Sequence, residues 1–520
     1  MTKDLQIRVS PKQAADTGLL RREAAQMLGV VPEQIRGVKI TGRSVDARQR
    51  RVMMNVALRV WVDEPMPEHP LACPVEYLPV AEDAPSAVVA GAGPAGLFAA
   101  LELISLGIRP IVLERGKDVD SRRKDVARIA REDVVDPDSN YCFGEGGAGT
   151  FSDGKLYTRS TKRGDVNRVL QIFHQHGAAE DILVERHPHI GSNRLPDVVK
   201  AMRQTIERCG GRVIFNTRVT GLVFEDGCVK GVETLNGNIY EGIGVILATG
   251  HSARDVYRML ADCNVPLEAK GLAVGVRLEH PQQLIDALRY HNPAGRGEYL
   301  PPAEYTLLTR VDGRGVYSFC MCPGGTIVPA ASAPGQLVVN GMSDAGRTGR
   351  RANAGMVVEV LPEDIPGDSP LRMMRWQESI EKRFFDDAGS QNAPAQRMTD
   401  FVDGRPSKSL PKSSYQPGVH PARIDKLLPH EVAYRLQRGF RDFDHKQPGF
   451  LSAEALVVGD ETRTSSPVRI TRDSTTMQSV PGLFPAGEGA GYAGGIVSAA
   501  LDGIRAATGL HATLPDVLKI

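Results

Sequence analysis

The stretch Val88-Val-Ala-Gly91-Ala-Gly93-Pro-Ala-Gly96 decides the fold of this chain. It completes a short apolar run typical of a buried strand and opens a run, Leu97–Leu106, typical of a helix. The first glycine permits a tight turn, the second lets a pyrophosphate approach the backbone, and the third lets the helix pack on the strand. Free N–H groups at the helix N-terminus favour an anion at the same place. The stretch therefore predicts a nucleotide-binding βαβ unit.

An acidic residue stands where such a unit needs one. Glu114 follows the second predicted strand, Pro110–Leu113, and lies 23 residues after Gly91. A carboxylate at this position is placed to accept hydrogen bonds from a ribose hydroxyl. The acid makes the prediction of a dinucleotide site much more specific than the glycines alone.

A second glycine-rich segment, 482–495, lies near the end of the sequence and precedes an alanine-rich run. It resembles the late flavin-binding segment of two-dinucleotide-type flavoproteins, in which an acid between glycines holds the ribityl chain. The next helix would direct its N-terminus at the flavin pyrimidine or at the pyrophosphate. Two such segments at opposite ends of the chain predict one extended FAD bound to a single domain. The predicted contacts are Gly91, Gly93, Gly96, Glu114, Gly487, Glu488, Gly489, Gly494 and Gly495.

Residues 143–155 form a glycine-rich run with hydroxyl side chains, which suits close approach of a ligand. Gly146, Gly147 and Thr150 are its candidate FAD contacts, and a flexible surface loop is the alternative interpretation.

Two shorter segments fit the same site. Val245–Gly250 resembles the strand-Thr-Gly turn that these flavoproteins place beside the adenosine, which adds Thr249 and Gly250. Glu461-Thr-Arg463 precedes the late segment, and we expect it near the isoalloxazine.

In chain order, these motifs and others resemble one family, the uncharacterised bacterial FAD-dependent dehydrogenases (NAD(FAD)-utilizing dehydrogenases). The resemblance runs from about residue 5 to residue 507 and implies FAD as the cofactor, without implying a reaction. The motifs that carry it are Gly91-Ala-Gly-Pro-Ala-Gly96, Tyr141-Cys-Phe-Gly-Glu-Gly-Gly147, Phe151-Ser-Asp-Gly-Lys155, Gly275-Val-Arg-Leu-Glu-His-Pro281, Phe319-Cys-Met-Cys-Pro-Gly-Gly325 and Gly487-Glu-Gly-Ala-Gly-Tyr492.

The expected fold is α/β: a glutathione-reductase-like FAD-binding domain, whose parallel sheet is discontinuous in sequence, with an inserted β-rich α+β substrate domain. A small βαββ appendage precedes it. The predicted bounds are 1–63 for the appendage, 64–85 for a Pro-rich linker, 86–255 and 456–520 for the FAD domain, and 256–455 for the substrate domain. The middle segment is predicted to be loop-rich, with strand candidates at Tyr305–Arg310, Val316–Cys320 and Leu337–Asn340 and with Leu371–Asp386 as its clearest helix.

Candidate catalytic residues lie in Gly275-Val-Arg277-Leu-Glu279-His280. The alternation predicts a strand on which Arg277 and Glu279 share a face and His280 lies opposite. A histidine or an arginine near a flavin can transfer a proton or stabilise an anion. We predict that Arg277 and His280 bind or protonate an anionic or carbonyl-bearing substrate; a strand with one salt-bridged face is the alternative.

Cys320 and Cys322 point the same way if they lie on a strand, which makes them a candidate redox pair. Structural packing is the alternative, because a disulfide across one residue is strained. Two thiols without further ligands do not make a zinc site, so no metal is expected.

Between Gly250 and Leu483 the sequence has no second strand-G-x-G-x-x-G-helix unit. A dedicated NAD(P)H domain is therefore not expected. The predicted partners are a small-molecule substrate and, for electrons, transiently bound NAD(P)H or a donor protein.

Charge, cysteine content and hydropathy bear on an alternative function and on the cellular location. Residues 1–60 carry twelve Lys or Arg against five Asp or Glu in a chain of net charge +1, so RNA docking by this module is an alternative function. Seven sparse cysteines favour a reducing, cytoplasmic location. No uninterrupted apolar stretch is long enough to predict a membrane span.

The paired motifs predict that the purified protein is yellow and releases FAD on denaturation. FMN lacks the adenosine ribose for which Glu114 is placed, so chromatography of the released flavin should show FAD alone. Recovery of FMN, or of no flavin after reconstitution, would contradict the assignment.

Overall fold

The computed structural model describes residues 1–158 and 164–515. Its strands are β1 (Thr2–Val9), β2 (Ile35–Asp46), β3 (Met53–Val62), β4 (Ser86–Ala90), β5 (Arg109–Leu113), β6 (Arg212–Ile214), β7 (Val219–Glu225), β8 (Cys228–Thr234), β9 (Ile239–Glu241), β10 (Val245–Leu247), β11 (Leu267–Ala269), β12 (Leu272–Pro281), β13 (Leu308–Val311), β14 (Arg314–Cys322), β15 (Thr326–Pro329), β16 (Val339–Met342), β17 (Arg351–Val360), β18 (Ala393–Arg397), β19 (Val419–Pro421), β20 (Leu456–Glu461), β21 (Val468–Ile470) and β22 (Leu483–Pro485).

The α-helices connect and cover these strands. They are α1 (Pro11–Ala14), α2 (Thr17–Leu28), α3 (Pro94–Ser105), α4 (Val119–Glu132), α5 (Val166–Gln175), α6 (Leu195–Arg208), α7 (Arg254–Asp262), α8 (Gln282–Tyr290), α9 (Arg372–Ala388), α10 (Met398–Val402), α11 (Ile424–Leu427), α12 (His430–Lys446) and α13 (Ile496–Ala512).

The first 62 residues form a three-stranded antiparallel sheet in the order β1-β3-β2, with α1 and α2 packed on it. Apart from the short α1, this is the predicted β-α-β-β order. Five of its twelve basic side chains lie in ion pairs with carboxylates, which reduces the free positive charge of the module: Arg8, Lys39, Arg43, Arg48 and Arg59.

The segment predicted as a linker packs against the following domain. The Cys73 N–H donates to Gln171 Oε1 at 2.9 Å, and the Val80 N–H donates to the Cys209 carbonyl at 3.0 Å. Tyr77 packs beside His176, with ring centroids 6.3 Å apart. Residues 73–80 therefore belong to the surface of the next domain more than to a free connection.

A five-stranded parallel sheet in the order β22-β10-β4-β5-β6 forms the centre of that domain, which confirms the predicted α/β class. Ala87 and Val89 of β4 face one apolar core, whereas Val88 and Ala90 face another. Because both faces are covered, β4 reads as an uninterrupted apolar run.

Helices α3 and α13 lie against each other on one face of this sheet. Gly503 of α13 meets the Ala95 carbonyl of α3 so closely that a Cβ would overlap the carbonyl oxygen. The contact joins the first and last segments of the domain, which are separated by about 400 residues in sequence.

The largest sheet is mixed and lies in the middle of the chain, in the order β13-β14-β17-β12-β20-β18-β19. Its core includes Ile285 of α8, Phe384 of α9 and Phe440 of α12. The segment is therefore β-rich, as predicted, but it contains more regular structure than the expected loops. Strand β12 is buried at nine of its ten positions, so the face that carries Arg277 and Glu279 is covered by protein and is not exposed to solvent.

The packing of residues 73–80 separates the effects of two truncations. Deletion of residues 1–62 should leave one FAD per chain, because the glycine motifs lie beyond it. Deletion of residues 1–80 should also retain FAD but lower the melting temperature further, since it uncovers Gln171, His176 and Cys209. Flavin absorbance per chain and thermal unfolding measure both; loss of flavin from a soluble 1–62 deletion would contradict this prediction.

Candidate FAD-binding site

The turn after β4 has the conformation that its glycines allow. Gly91 has φ +106° and lies against the Ala248 carbonyl, where a Cβ would overlap the oxygen. A Cβ on Gly96 would overlap the Gly91 carbonyl oxygen. Two of the three motif glycines are therefore required by the protein itself.

Contacts within the protein do not explain two glycines of the motifs, Gly93 and Gly494. Gly93 has φ −77°, and a Cβ there would lie 3.8 Å from Gly147 Cα, an ordinary contact. A Cβ on Gly494 would meet no atom of the described residues within 4 Å. Both glycines border open space in front of helix N-termini, α3 and α13. The space fits a phosphate-bearing ligand such as FAD, whose close approach would exclude a side chain.

Glu114 is buried and accepts three backbone N–H bonds, each of 2.9 Å. Its Oε2 accepts from Ala92, and its Oε1 accepts from Gly116 and Gly144. The carboxylate thus joins the motif turn, the turn after β5 and the glycine-rich run. A carboxylate has about four acceptor positions, so about one is left for a ribose hydroxyl.

The glycine-rich run packs directly on the motif turn, since the Gly146 N–H donates to the Ala92 carbonyl at 2.8 Å. Gly146 and Gly147 have φ +77° and +60°, and the Thr150 hydroxyl donates to the Glu145 carbonyl at 2.7 Å. The run is therefore a fixed part of the nucleotide site.

Arg122 of α4 organises this run and was missed by the sequence analysis. Its fully buried guanidinium donates to the carbonyls of Asn140, Glu145, Tyr141 and Gly147 at 2.7–3.0 Å. Burial lowers the pKa of Arg122 to about 10. Its only sequence signal is one arginine among several in a polar helix, so no local pattern could single it out.

The late segment meets the first at the same edge of the sheet. The Gly487 N–H donates to Asp502 Oδ2 at 2.8 Å, and Asp502 pairs with Arg472. The Glu488 carboxylate accepts from the Gly495 N–H. Hydrogen bonding to a charged carboxylate stabilises it, and Glu488 has little freedom in this arrangement.

Thr249 and Gly250 extend β10 between the two glycine loops. A Cβ on Gly489 would lie 2.7 Å from the Gly250 carbonyl oxygen, so the two turns touch. His251 Nε2 lies 3.4 Å from Glu488 Oε2. The turns after β4, β10 and β22 thus adjoin at the carboxyl ends of neighbouring parallel strands, where open α/β sheets bind their ligands.

Arg277 lies on β12, in the other sheet, and is fully buried. Its guanidinium pairs with Glu461 at 3.1 Å and donates to Asn353 Oδ1 at 2.8 Å. Arg277 is thus neutralised by Glu461 of β20 and not by Glu279, its neighbour on the same strand. Strand β20 pairs with β12, a neighbour that periodicity could not reveal.

His280 and Glu279 have other partners. Glu279 faces Ser414, whose N–H donates to it at 3.1 Å. His280 lies on the opposite face of β12, as expected, against Phe450, whose carbonyl is 2.9 Å from Nε2. Burial lowers the pKa of His280 to about 4. The structure therefore does not bring Arg277 and His280 together, and it places His280 in an apolar core.

Arg463, expected beside the isoalloxazine, belongs to a buried network. Glu381 of α9 accepts from Arg463 at 2.9 Å and from Arg254 of α7 at 2.6 Å. Although burial alone would raise it, the two arginines lower the pKa of Glu381 to about 2. The network connects α7, which follows strand β10 of the parallel sheet, to α9 and to the residues after β20 of the mixed sheet.

A cleft of about 970 Å³ opens beside β12 and β17. It is basic: its lining has five Lys or Arg against Asp286 and Glu454. Among the described residues, Arg350, Arg351 and Lys412 form no ion pair. The basic lining consists of Arg296, Arg350, Arg351, Arg397 and Lys412.

The described residues hold no cluster of three or more His, Cys, Asp or Glu side chains suited to a metal ion. Nor does that part of the chain contain a helix long and apolar enough to cross a membrane.

The chain is an FAD-dependent flavoprotein, and FAD is its cofactor: residues 271–464 match the family model "FAD-dependent protein, C-terminal domain-like". Residues 1–61 match a domain of unknown function (DUF8436). The chain belongs to the same family as an uncharacterized protein of Clostridium beijerinckii, to which it is 40% identical over 511 residues, or 95% of each chain.

Solved structures resemble the chain more distantly. A geranylgeranyl bacteriochlorophyll reductase-like protein from Thermoplasma acidophilum is 15% identical, with a TM-score of 0.35 over 82% of this chain and 78% of that one. A mutant 2-methyl-3-hydroxypyridine-5-carboxylic acid oxygenase is 10% identical, with a TM-score of 0.34 over 84% and 85%. Similarity at this level supports no inference about the reaction.

The motif glycines give a matched pair of variants. Gly93→Ala should fold normally but lose FAD, because its Cβ has room in the protein and would intrude only on the ligand. Gly96→Ala should destabilise the fold by about 1–3 kcal/mol, because its Cβ overlaps backbone. Flavin content and urea unfolding of the apoproteins distinguish the two; full FAD occupancy in Gly93→Ala would refute the placement of the pyrophosphate.

Proposed function

We propose that this protein is an FAD-dependent oxidoreductase, a dehydrogenase or reductase, that acts on a small organic substrate. The observation that carries the proposal is the convergence of two glycine loops and two helix N-termini at one edge of the parallel sheet. FAD supplies the redox chemistry, and the protein supplies binding, orientation and electrostatics. The proposed architecture is a glutathione-reductase-like FAD domain interrupted by the mixed-sheet domain, with the N-terminal module as an appendage.

The chain's own residues have defined tasks in this proposal. The N-terminus of α3 holds the pyrophosphate, and Glu114 fixes three loops around it while offering one acceptor to the ribose. Glu488 holds the ribityl chain, and the N-terminus of α13 faces the flavin. The proposed contacts are Gly91, Gly93, Gly96, Glu114, Gly146, Gly147, Thr150, Thr249, Gly250, Gly487, Glu488, Gly489, Gly494 and Gly495.

Arg277 does not suit direct binding of a substrate, because it is fully buried and already paired with Glu461. The basic cleft offers exposed cations instead, which attract an anionic ligand and raise its association rate. We therefore place an anionic substrate, or an anionic electron donor, in this cleft.

The sequence has no second glycine fingerprint between Gly250 and Leu483, so we expect no dedicated domain for an electron-donating nicotinamide nucleotide. A nicotinamide nucleotide would bind transiently, without its own Rossmann domain. Its phosphates match the charge of the basic cleft; a donor protein with an acidic surface has the same complementarity.

Anaerobic reduction of the FAD-loaded protein by NADH, NADPH and a panel of metabolites tests the function. We expect an anionic compound to bleach the flavin absorbance, with a second-order rate that falls as salt rises. Replacing Arg350 and Arg351 together by Ala should raise KM several-fold with little change in kcat, since both residues bind without touching the reacting atoms.

The control is chemical reduction with dithionite, which should be the same in both proteins. An effective neutral substrate whose rate ignores salt, or an unchanged KM in the double variant, would contradict the role of the cleft. A protein without redox-active flavin would contradict the function itself.

A further inference from the structure

Two thiols on β14 converge on one lysine. Lys155 Nζ lies 3.8 Å from Cys320 Sγ and 3.7 Å from Cys322 Sγ. Lys155 follows Thr150 of the glycine-rich run by five residues, so its Cα lies within about 18 Å of that of Thr150. The cluster therefore joins the FAD-binding domain to the mixed sheet.

The backbone at Cys320 is held in an uncommon conformation. Its φ of +43° is in the left-handed region, which non-glycine residues seldom adopt. The register of β14 against β17 shifts between Phe319 and Cys322, so the outlier lies in a bulge. Bulges re-aim side chains beside functional sites, and such strain persists only where the surroundings impose it.

Positive charge surrounds the two sulfurs. Arg277 donates to the Cys320 carbonyl at 2.7 Å and to Cys322 Sγ at 3.4 Å. Arg347 and Lys155 share Asp153, at 2.9 Å and 3.5 Å, and Arg277 is paired with Glu461.

The three cations of this cluster, Lys155, Arg277 and Arg347, face three carboxylates, since Arg347 also lies 4.0 Å from Glu304. Burial raises the pKa of Glu461 to about 7, which leaves these carboxylates with less than their full negative charge. A thiolate at Cys320 would add negative charge beside Lys155 and Arg277. The Cys322 thiol, which donates to the Cys320 carbonyl at 3.4 Å, lowers the pKa of Cys320, and Lys155 and Arg277 lower it further; the Cys320 side chain in turn raises the pKa of Cys322.

The cluster is open to a reactant on one side. The Lys155 side chain is 30% exposed, and Cys320 is partly exposed, whereas Cys322 is buried. A reactive thiolate that is accessible beside a buried resolving thiol is the arrangement found in redox-active cysteine pairs.

We propose that Cys320 and Cys322 form a dithiol–disulfide couple that exchanges two electrons with bound FAD; this rests on the proposed function. In the oxidation, the Cys320 thiolate and the Cys322 thiol form an Sγ–Sγ bond and release one proton and two electrons. The proton and the electron pair convert bound FAD to its anionic two-electron-reduced form, so atoms and charge balance. Lys155 and Arg277 are positioning residues that stabilise the thiolate. A disulfide across one residue is strained and easily reduced, which suits a couple that cycles.

Anaerobic dithionite titration of the air-oxidised, FAD-loaded protein counts the electrons. The full chain should take up about four electrons per FAD, two for the flavin and two for the disulfide. Cys320→Ser and Cys322→Ser should each take up about two. Cys73→Ser, which removes an exposed cysteine of the segment 73–80, should still take up about four. Uptake of about two electrons by the full chain would overturn the proposal.

Peptide mass spectrometry locates the bond that the titration counts. The oxidised protein should contain a peptide with Cys320 joined to Cys322, and dithionite should remove the link. Absence of that peptide, or a link between other cysteines, would also overturn the proposal.

Iodoacetamide labelling tests the thiolate independently of flavin turnover. In the pre-reduced protein, Cys320 should be labelled at lower pH than Cys73, because only the thiolate reacts. Lys155→Met should slow labelling of Cys320 near pH 6 by about tenfold or more, since loss of the adjacent cation raises its pKa. Equal rates in the two proteins would contradict the role of Lys155. Failure to bind reducible FAD would instead refute the proposed function, and labelling would still report on the thiolate.

Discussion

The contact between α3 and α13 is the constraint on which the FAD site depends. Gly503 allows the two helices to approach until the Ala95 carbonyl lies where a Cβ would otherwise be. Both helices begin at the same edge of the parallel sheet, so their close packing places two sets of free N–H groups side by side. The glycine loops before them are thereby brought together, although they lie at opposite ends of the sequence. The nucleotide site is therefore assembled from segments that are about 400 residues apart in sequence.

Buried charges fix the parts around this site. Arg122 binds four carbonyls of the glycine-rich run, Glu381 neutralises Arg254 and Arg463, and Glu461 neutralises Arg277. A buried charge without its partner is costly, so each of these groups accepts only a narrow range of arrangements. The cluster at Lys155 likewise places two cations, Lys155 and Arg277, within 4 Å of cysteine sulfurs, where they would stabilise a thiolate. The buried pair of Arg277 and Glu461, which joins β12 to β20, therefore also lies beside the proposed redox couple.

Local sequence identified the elements whose patterns are short-range. The βαβ unit at 87–114, the N-terminal βαββ order and the strand at Arg277 follow from spacing and alternation alone. Strand β12 also has the predicted faces, with His280 opposite Arg277. The partners on those faces did not follow, since Glu461 and Phe450 lie about 170–180 residues further along the chain. The mixed sheet was predicted only as a β-rich segment, because the order and pairing of its strands depend on residues that are far apart in sequence.

The sequence by itself determined the class of this protein, an α/β flavoprotein with a glycine-turn nucleotide site. That information is local, because a turn that needs positive φ and a helix that must approach a strand each require glycine at a set spacing. Only the tertiary structure decided which charges meet: that Glu114 fixes three loops, that Arg122 holds the glycine-rich run, and that Lys155 lies between two thiols. These contacts depend on strand order and on burial. Burial strengthens the interactions between charged groups, but neither burial nor strand order leaves a periodic pattern in the sequence.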